Sequence, residues 1–384
     1  MTPIAVTNAT VVHRDRVGAG ECVLVRDGLV EHTGAQRVPA GYEVVDVAGG
    51  VVTPGLVDLH AHGARGRTFN EADPAAWAAV LAAHAAAGTT SLLATLATDT
   101  PAGLTRALAT AGTHGEGSAL LGTHLEGPYL NPEFRGAHPA DALRTPSDGS
   151  WRDLAGGPDT PRLVTLAPEL PGATDLIRAL AARGVVVSAG HSAAAGDELA
   201  AAQRAGLRHV AHLWSGQSAL RKHGPWRRPG LLEETLASTG LTAEVIADGV
   251  HVPAPLVRIA HRCLGPDRLC LVSDASAGTG LPAGTTFRMG AARGVVADGV
   301  AMSHDGASFC GSTSFLADVL RHAVAEAGIP LADAVRMATA TPAAVLGMAD
   351  RIGSLAPGRV ADLVVFDGEL RPRLVMRAGR WMDG

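Results

Sequence analysis

The stretch "VVTPGLVDLHAHG", Val51 to Gly63, predicts a short apolar strand that runs directly into two histidines. Side chains two residues apart on a strand point to the same face, so His60, His62 and Asp58 would project together. This geometry suits a metal ion. An isolated His-x-His pair is equally consistent with one core histidine and one loop histidine. The pair becomes informative only if other strands also end in residues that can bind a metal.

Seven more segments of strand character follow, and Ala- and Leu-rich segments of helical character separate them. The eight candidate strands are "GLVDLHAH", "TTSLLATLA", "ALLGTHLEG", "RLVTLAPE", "GVVVSAGHS", "HVAHLWSG", "LTAEVIADGVH" and "RLCLVSDAS". Regular alternation of this kind predicts a parallel sheet of the α/β class, and eight repeats predict a (β/α)₈ barrel. The active site of such a barrel lies at the C-terminal ends of its strands.

Both ends of the chain alternate like antiparallel strands instead. We predict that residues 1–50 and 350–384 form one small β-sandwich domain, and that the barrel spans residues 51–349. A Gly-rich hairpin near residues 285–302, "TTFRMGAARGVVADGVAM", interrupts the barrel pattern. It either caps the mouth of the barrel or extends the terminal sheet.

Composition excludes several classes of function. The 384 residues are 47% hydrophobic and 18% charged, with a net charge of −5, which indicates a globular enzyme-sized protein. The dispersed charges form no basic stripe for nucleic acid and no patch for a membrane surface. The N-terminus has no secretory signal pattern, so we expect a cytoplasmic protein. The four cysteines show no C-x-x-C pairing, and we interpret them as buried thiols.

Other strands do end in residues that can bind metals or move protons. The third ends at Glu126, the fifth at His191, the sixth at His212 and the eighth at Asp274. Nitrogen and oxygen ligands of this kind suit Zn²⁺ or a similar divalent ion. Such an ion lowers the pKa of bound water and polarises a carbonyl, while a nearby carboxylate moves the proton. We assign that proton transfer to Asp274, although "SDAS" could also be only a helix N-cap.

Two other histidines are predicted to be structural. His209 lies three residues before His212, so on a strand it would point to the opposite face, between barrel and helix. His84 lies on a helix-like stretch and is predicted to face solvent.

Together these motifs resemble the amidohydrolase superfamily. "TPGLVDLHAHG", "HLEGPYL", "AGHS", "AHL" and "SDAS" occur in the family's order, and "LEGPYLNPEFRGAH" resembles the N-acetylglucosamine-6-phosphate deacetylase family within it. The resemblance covers almost the whole chain. It implies that the chain removes the acetyl group of N-acetylglucosamine 6-phosphate with metal-activated water, giving glucosamine 6-phosphate and acetate.

The resemblance also implies roles for individual residues. Glu126, His191 and His212 would bind the main metal ion, and His60 and His62 could hold a second. Asp274 would be the catalytic carboxylate. Residues implied to bind the sugar phosphate are His138, His251, Ser215, Gly216 and Arg227. The protein would be a homodimer, with Arg227 acting in its own or in the neighbouring subunit.

The phosphate segment departs from the family pattern. "HLWSGQ" places Ser215 and Gly216 where the family has an Asn-Ala pair, and "WRRPG" keeps Arg227 but places Arg228 at the usual acidic position. Backbone amides survive the first change, and two arginines still favour an anion. Two alternatives stay open: a related hydrolase of another N-acyl compound, such as an unphosphorylated amino sugar or an acylated amino acid, and a non-catalytic binder of sugar phosphates.

Overall fold

The computed structural model describes residues 2–35, 37–114, 118–155, 159–297 and 299–382. Within these ranges the strands are β1 (Ile4–Val12), β2 (Val17–Arg26), β3 (Leu29–Gly34), β4 (Glu43–Asp46), β5 (Val51–Pro54), β6 (Leu56–Ala61), β7 (Gly63–Ala64), β8 (Arg67–Thr68), β9 (Thr89–Ala97), β10 (Leu120–Glu126), β11 (Leu163–Leu166), β12 (Val186–Ala189), β13 (His209–Val210), β14 (Arg221–His223), β15 (Trp226–Arg228), β16 (Thr242–Val245), β17 (Leu269–Leu271), β18 (Thr286–Met289), β19 (Ala292–Ala297), β20 (Val300–Ser303), β21 (Leu363–Phe366), β22 (Pro372–Arg377) and β23 (Arg380–Trp381).

The α-helices in the same ranges are α1 (Pro74–Ala86), α2 (Pro101–Ala111), α3 (Trp151–Ala155), α4 (Ala173–Ala181), α5 (Asp197–Ala205), α6 (Leu231–Ala237), α7 (Ala254–Leu264), α8 (Leu316–Ala325), α9 (Leu331–Met337) and α10 (Ala340–Val345). None of these described helices has the length and apolar character needed to cross a bilayer.

Eight parallel strands form the predicted barrel, in the order β6, β9, β10, β11, β12, β13, β16 and β17. The strands at the two ends of this order meet at a seam. There Ala61 bridges Ala275, and the Asp274 amide donates to the His60 carbonyl over 2.8 Å. The (β/α)₈ prediction is therefore confirmed, with the predicted number of strands.

The barrel strands are apolar because they are covered on both faces. Every residue of β6 and β9 is buried, between the barrel interior and the surrounding helices. Helix α1 shows how the covering layer begins. The Asp73 side chain caps it by accepting from the Ala75 amide, Pro74 fits the first turn, and Trp77 is completely buried in the main core.

Strands from both ends of the chain join in one sheet, in the order β23, β22, β21, β5, β1, β2 and β3, while β4 pairs with β1. It has its own apolar core, which includes Val6, Val23 and Leu363. This sheet contains β5, which we expected at the start of the barrel. The boundary shifts because β5 pairs with β1 and β21. The chain crosses to the barrel at Gly55, which passes so close to Thr90 that a Cβ would overlap it.

The hairpin insertion lies at the mouth of the barrel and does not join the terminal sheet. Strands β18, β19 and β20 form a separate antiparallel sheet. Phe287 and Val296 pack beneath it in a small core, and Met289 and Met302 line the cavity described below. Of the two arrangements that the sequence allowed, the structure shows the cap.

Two expectations about single residues are wrong. Cys263 is exposed on α7, while the other three cysteines are buried as expected. His84 is completely buried, because the side of α1 that carries it packs on the barrel: its Nε2 lies 3.2 Å from the Gly63 carbonyl and its ring contacts Phe315.

Candidate metal centre and active site

Five barrel strands deliver the predicted ligands to one end of the barrel. His60 is the second-last residue of β6, and His62 comes directly after the end of that strand. Glu126 is the final residue of β10. The remaining members follow the ends of β12, β13 and β17, and they are His191, His212 and Asp274. Because the strands are parallel, all of these side chains converge on the mouth, as strand-end residues of such barrels do.

Glu126 lies at the centre of this group. Its Oε1 is 3.0 Å from His212 Nε2, 3.1 Å from His191 Nε2 and 3.4 Å from His60 Nε2. Its Oε2 is 3.3 Å from both His62 Nε2 and His138 Nε2. Asp274 completes the group, with Oδ1 3.2 Å from His62 Nε2 and 3.6 Å from His60 Nε2.

These spacings fit a shared metal ion. Nitrogen and oxygen ligands around one tetrahedral Zn²⁺ lie about 3.3 Å from each other. Three sets of side chains bring their ligand atoms close enough to share an ion: His60, His62 and Asp274; His60, Glu126 and His212; and Glu126, His138 and His191. In addition, the buried Nε2 of His60 has no hydrogen-bond partner among the described residues. A buried nitrogen without a partner costs free energy unless a ligand satisfies it.

Electrostatics also prepare the group for a cation. Burial opposes ionisation of Glu126, but positive charge on His60 and His138 and hydrogen bonds to the carboxylate hold its pKa well below its ordinary range. Burial also opposes ionisation of Asp274, yet a hydrogen bond from His62 and nearby imidazole charges lower its pKa too. Burial lowers the pKa of His191 to about 4. Burial opposes protonation of His60, His62 and His212, yet the nearby carboxylates raise the pKa of each ring, so a bound ion would take the place of protons on these nitrogens.

A cavity of about 410 Å³ opens above these residues. It is lined by His62, Glu126, Gly136, Ala137, His138, His191, His212, Trp214, Ser215, Gly216, His251, Asp274, Met289, Met302, Ala307, Ser308, Phe309 and Gly311. The cavity therefore brings four of the five predicted metal ligands, Asp274 and four of the five predicted substrate residues to one place, while the fifth ligand, His60, is completely buried and does not line it. Sequence reasoning missed its apolar wall, which comes from the insertion and the segment after it.

The two predicted sugar-binding histidines are held differently. His138 is buried against Glu126, and its Nδ1 lies 2.9 Å from Thr98 Oγ1. His251 is held by Asp248, whose Oδ2 lies 2.7 Å from His251 Nδ1. The Nε2 of His251 has no hydrogen-bond partner among the described residues. His251 thus offers a free nitrogen beside the cavity, whereas the nitrogens of His138 already face Glu126 and Thr98.

Ser215 and Gly216 form part of the cavity wall through their backbone. The Ser215 carbonyl lies 3.1 Å from His212 Nδ1 and fixes the orientation of that ring. Gly216 has a φ of +60°, and a Cβ at this position would lie 2.7 Å from His191 Nδ1. Only glycine fits this close approach, so the altered segment is built around the candidate ligands.

Arg227 is the one predicted substrate residue that does not line the cavity. It lies on β15, which pairs with β14 in an exposed hairpin, and its Nη1 donates to the Pro225 carbonyl over 3.0 Å. Within a single chain, the structure does not bring Arg227 together with the other site residues.

Sequence reasoning missed Glu244 and misjudged His209. Glu244 is completely buried on β16 and contacts both His60 and His209. His209 therefore belongs to the same interior network as the site. The period of two fails because β13 ends at Val210, so His212 lies beyond the strand. The signal that could have found Glu244 is a single ionisable residue inside the apolar run "LTAEVIA".

Known proteins are similar to this chain over most of its length. A model of the amidohydrolase family matches residues 51–382. N-acetylglucosamine-6-phosphate deacetylase of Bacillus subtilis is 30% identical over 332 residues, which cover 83% of this chain and 82% of that protein. N-acetylgalactosamine-6-phosphate deacetylase of Shewanella sp. is 32% identical over 290 residues, 73% of this chain and 71% of that protein.

A solved structure extends the similarity to the whole chain. N-acetyl-D-glucosamine-6-phosphate deacetylase from Mycobacterium smegmatis, a mutant in complex with N-acetyl-D-glucosamine-6-phosphate, superposes with a TM-score of 0.91. The two are 34% identical, and the match covers 99% of both chains.

Proposed function

Because the chain belongs to the amidohydrolase family, we propose that it removes the acetyl group of N-acetylglucosamine 6-phosphate, giving glucosamine 6-phosphate and acetate. The observation that carries the proposal is the position of Asp274, which lies 3.2 Å from His62 Nε2 at the edge of the histidine group around Glu126. A proton-transfer group thus stands beside a candidate metal centre, at the floor of a cavity of sugar size.

The chemistry is a simple exchange of bonds. A bound divalent ion would lower the pKa of water and polarise the acetamide carbonyl. Asp274 takes a proton from that water as the new C–O bond forms. It then gives the proton to the amine nitrogen as the C–N bond breaks, so that acetate and the free amine leave. An aspartate that starts ionised, as the lowered pKa of Asp274 indicates, can accept the first proton.

We assign the main ion to Glu126, His191 and His212, and a second to His60 and His62. The contacts of Glu126 Oε1 with His191 and His212 support the main ion. The second ion would lie between His62, which faces Oε2, and His60, which lies 3.4 Å from Oε1. Zn²⁺ is the proposed metal, since the donors are nitrogen and oxygen in a compact arrangement. Metal analysis of the purified protein would give its identity and the number of ions per chain.

His251 and His138 are assigned to the sugar, and the backbone of Ser215 and Gly216 to the phosphate. We assign Arg227 to the phosphate bound in a partner subunit, within a homodimer. The exposed hairpin supports this assignment, because Trp226 beside Arg227 is 64% exposed and Leu220 is 56% exposed. Exposed apolar side chains next to a cation are typical of a surface that meets another protein.

The decisive experiment measures amine release by the zinc-loaded protein. N-acetylglucosamine 6-phosphate would be compared with unphosphorylated N-acetylglucosamine and with N-acetylgalactosamine 6-phosphate at equal concentration. A strong preference for the first compound would support the proposal. Preference for the galactose epimer would assign the activity of the Shewanella relative instead.

Other results would overturn the substrate or the activity. Equal rates with and without phosphate would direct the search to other N-acyl compounds. Tight binding of the sugar phosphate without turnover, in protein shown to contain metal, would favour a non-catalytic binder.

A further inference from the structure

Glu244 is an ionisable residue where the barrel core is otherwise apolar. It lies on β16 with no exposed surface, next to Ala243, Val245 and Ile246, which are also completely buried. An ionised carboxylate in such a place costs several kcal/mol unless donors surround it, and an apolar residue of similar size is often more stabilising. Stability of the barrel therefore gives no reason for a glutamate here.

Three donors converge on this carboxylate. Oε2 lies 2.9 Å from His60 Nδ1 and accepts from the His212 amide over 3.3 Å. Oε1 lies 3.1 Å from His209 Nε2. On its other side, His209 Nδ1 lies 2.6 Å from Thr242 Oγ1. The carboxylate is thus fixed at both oxygens and links β6, β13 and β16 across the interior of the barrel.

The contact between Glu244 and His60 determines which ring nitrogen of His60 carries the proton. When Nδ1 donates to Glu244, the proton of a neutral imidazole is on Nδ1, and Nε2 keeps its lone pair. That Nε2 is buried without a hydrogen-bond partner among the described residues, 3.4 Å from Glu126 Oε1 and 3.6 Å from Asp274 Oδ1. Histidines that bind metals commonly donate their other nitrogen to a carboxylate, which orients the ring and makes it a better ligand.

We infer that Glu244 is a positioning residue for the metal centre. It fixes the ring and the tautomer of His60 so that Nε2 faces the ion, and His209 in turn holds the Glu244 carboxylate in place. The inference rests on the proposed metal-dependent function. Glu244 does not touch the substrate and acts only through His60 and the backbone of His212.

The test is zinc affinity, measured by competition with a chromophoric chelator, for the native protein and for Glu244→Gln. Glutamine keeps the shape of the glutamate side chain but loses its negative charge, and its NH₂ group replaces the oxygen that faces either His60 or His209. We expect the dissociation constant for zinc to rise about 10- to 100-fold. We also expect a changed visible spectrum when Co²⁺ replaces zinc, because the ligand field at His60 changes.

Asp362→Asn is the matched control. Asp362 is buried in the terminal sheet, where it accepts from the Ala378 amide over 2.7 Å, far along the chain from every candidate ligand. Its loss should leave zinc affinity and the Co²⁺ spectrum unchanged, even if it lowers the stability of the metal-free protein. A purely structural role for Glu244 would make the two variants behave alike.

Each outcome separates this inference from the proposed function. If the native protein binds no divalent metal, the proposed function fails. If the native protein binds zinc and Glu244→Gln binds it equally well, the positioning role is wrong. Should Glu244→Gln fail to fold, Glu244→Asp decides, because the shorter side chain withdraws from His60 and keeps its charge. Native zinc affinity in that variant would overturn the inference.

Discussion

At the scale of single residues, the site is a balance of charges. Two carboxylates, Glu126 and Asp274, face the nitrogens of several buried imidazoles, and we propose different tasks for the two. Both line the cavity, but Glu126 is enclosed by histidines on both oxygens, whereas Asp274 contacts histidines through Oδ1. We therefore assign the proton exchange with the substrate to Asp274.

Asp274→Asn tests this division of tasks. Asparagine keeps the shape and one oxygen near His62, but it cannot accept a proton from water. We expect kcat to fall by about 10²- to 10⁴-fold or more, with zinc content and substrate affinity close to native. Steady-state amine release and metal analysis on the same preparation check both parts. Near-native turnover would remove Asp274 from its role.

His84 predicts a pH effect on stability. Burial lowers the pKa of His84 to about 4 from its ordinary 6.5. Between these values the unfolded chain binds a proton that the folded chain does not, so stability falls as the pH falls. The loss between pH 7 and pH 5 amounts to about 2 kcal/mol. Urea unfolding of the native protein and of His84→Gln at both pH values would show the native curve falling more steeply. Parallel curves would contradict the prediction.

The sequence identified the candidate ligands because strand ends are visible in it. In a (β/α)₈ barrel, a histidine or carboxylate directly after an apolar strand lies at the mouth. The partners of His60 and His84 were not visible in the same way. Glu244 reaches His60 across the barrel, and alanines surround His84 on α1, so no pattern marked its buried side.

At the scale of elements, the hairpin of β14 and β15 has an unusual charge pattern. Lys222 lies directly opposite Arg227, and Arg221 opposite Arg228. Like charges in opposite positions destabilise a strand pair. Arg221 is compensated by Glu133 over 3.1 Å, but no carboxylate among the described residues pairs with Lys222 or Arg227. An anion or an acidic surface from outside the chain would relieve this repulsion.

Arg227→Ala, with Lys222→Ala as its control, tests whether the hairpin of β14 and β15 contributes to phosphate binding. If Arg227 binds the phosphate, its loss removes a charge-assisted hydrogen bond worth about 1.5–3 kcal/mol, or roughly 10- to 100-fold in kcat/KM for the phosphorylated sugar. Activity on the unphosphorylated sugar should not change. The lysine variant should stay close to native on both substrates, and equal losses in the two variants would indicate only a general effect of charge.

Mixed dimers show which subunit Arg227 serves. A dimer of one Asp274→Asn chain and one Arg227→Ala chain contains one complete site only if Arg227 acts on its partner. We therefore expect coexpression of the two variants to raise amine release from the phosphorylated sugar above that of either variant alone. A verified mixed dimer no more active than the Arg227→Ala protein would place Arg227 in its own subunit.

Elements were predictable where they are long and periodic, and less so where they are short. The buried nine-residue β9 left no doubt about its type. The two-residue β13 ends before the period of two can be applied, which is why His209 was assigned to the wrong face. The boundary at β5 was missed for a different reason. Its apolar pattern continues into β6, and only the pairing of β5 with β1 and β21 shows where the chain changes sheets.

At the scale of the whole molecule, the candidate metal site joins distant parts of the barrel. Its candidate ligands come from β6, β10, β12, β13 and β17. The first and last of these meet at the seam, where Ala61 bridges Ala275 and the Asp274 amide donates to the His60 carbonyl. An ion bound by His60, His62 and Asp274 would add a further link across the seam.

Metal removal should therefore lower the stability of the protein. An ion that binds only the folded chain adds about 2.7 kcal/mol at a free concentration about 100 times its dissociation constant. We expect the midpoint of thermal unfolding to fall with a chelator and to rise again with zinc. Glu126→Gln is the control, because its midpoint should no longer respond to zinc. A native midpoint that is insensitive to both additions would contradict the prediction.

The shared terminal sheet has a consequence for how the chain is made. Val52 pairs with Val365, so β5 waits for a strand that is translated long after it. Until then β5 presents an open strand edge, because β1 covers only its other side, and an open edge invites pairing with other chains. Completion of the sheet thus requires that translation has passed β21. A chain cut short before β21 would keep that edge exposed, and we expect cells to recognise and degrade it.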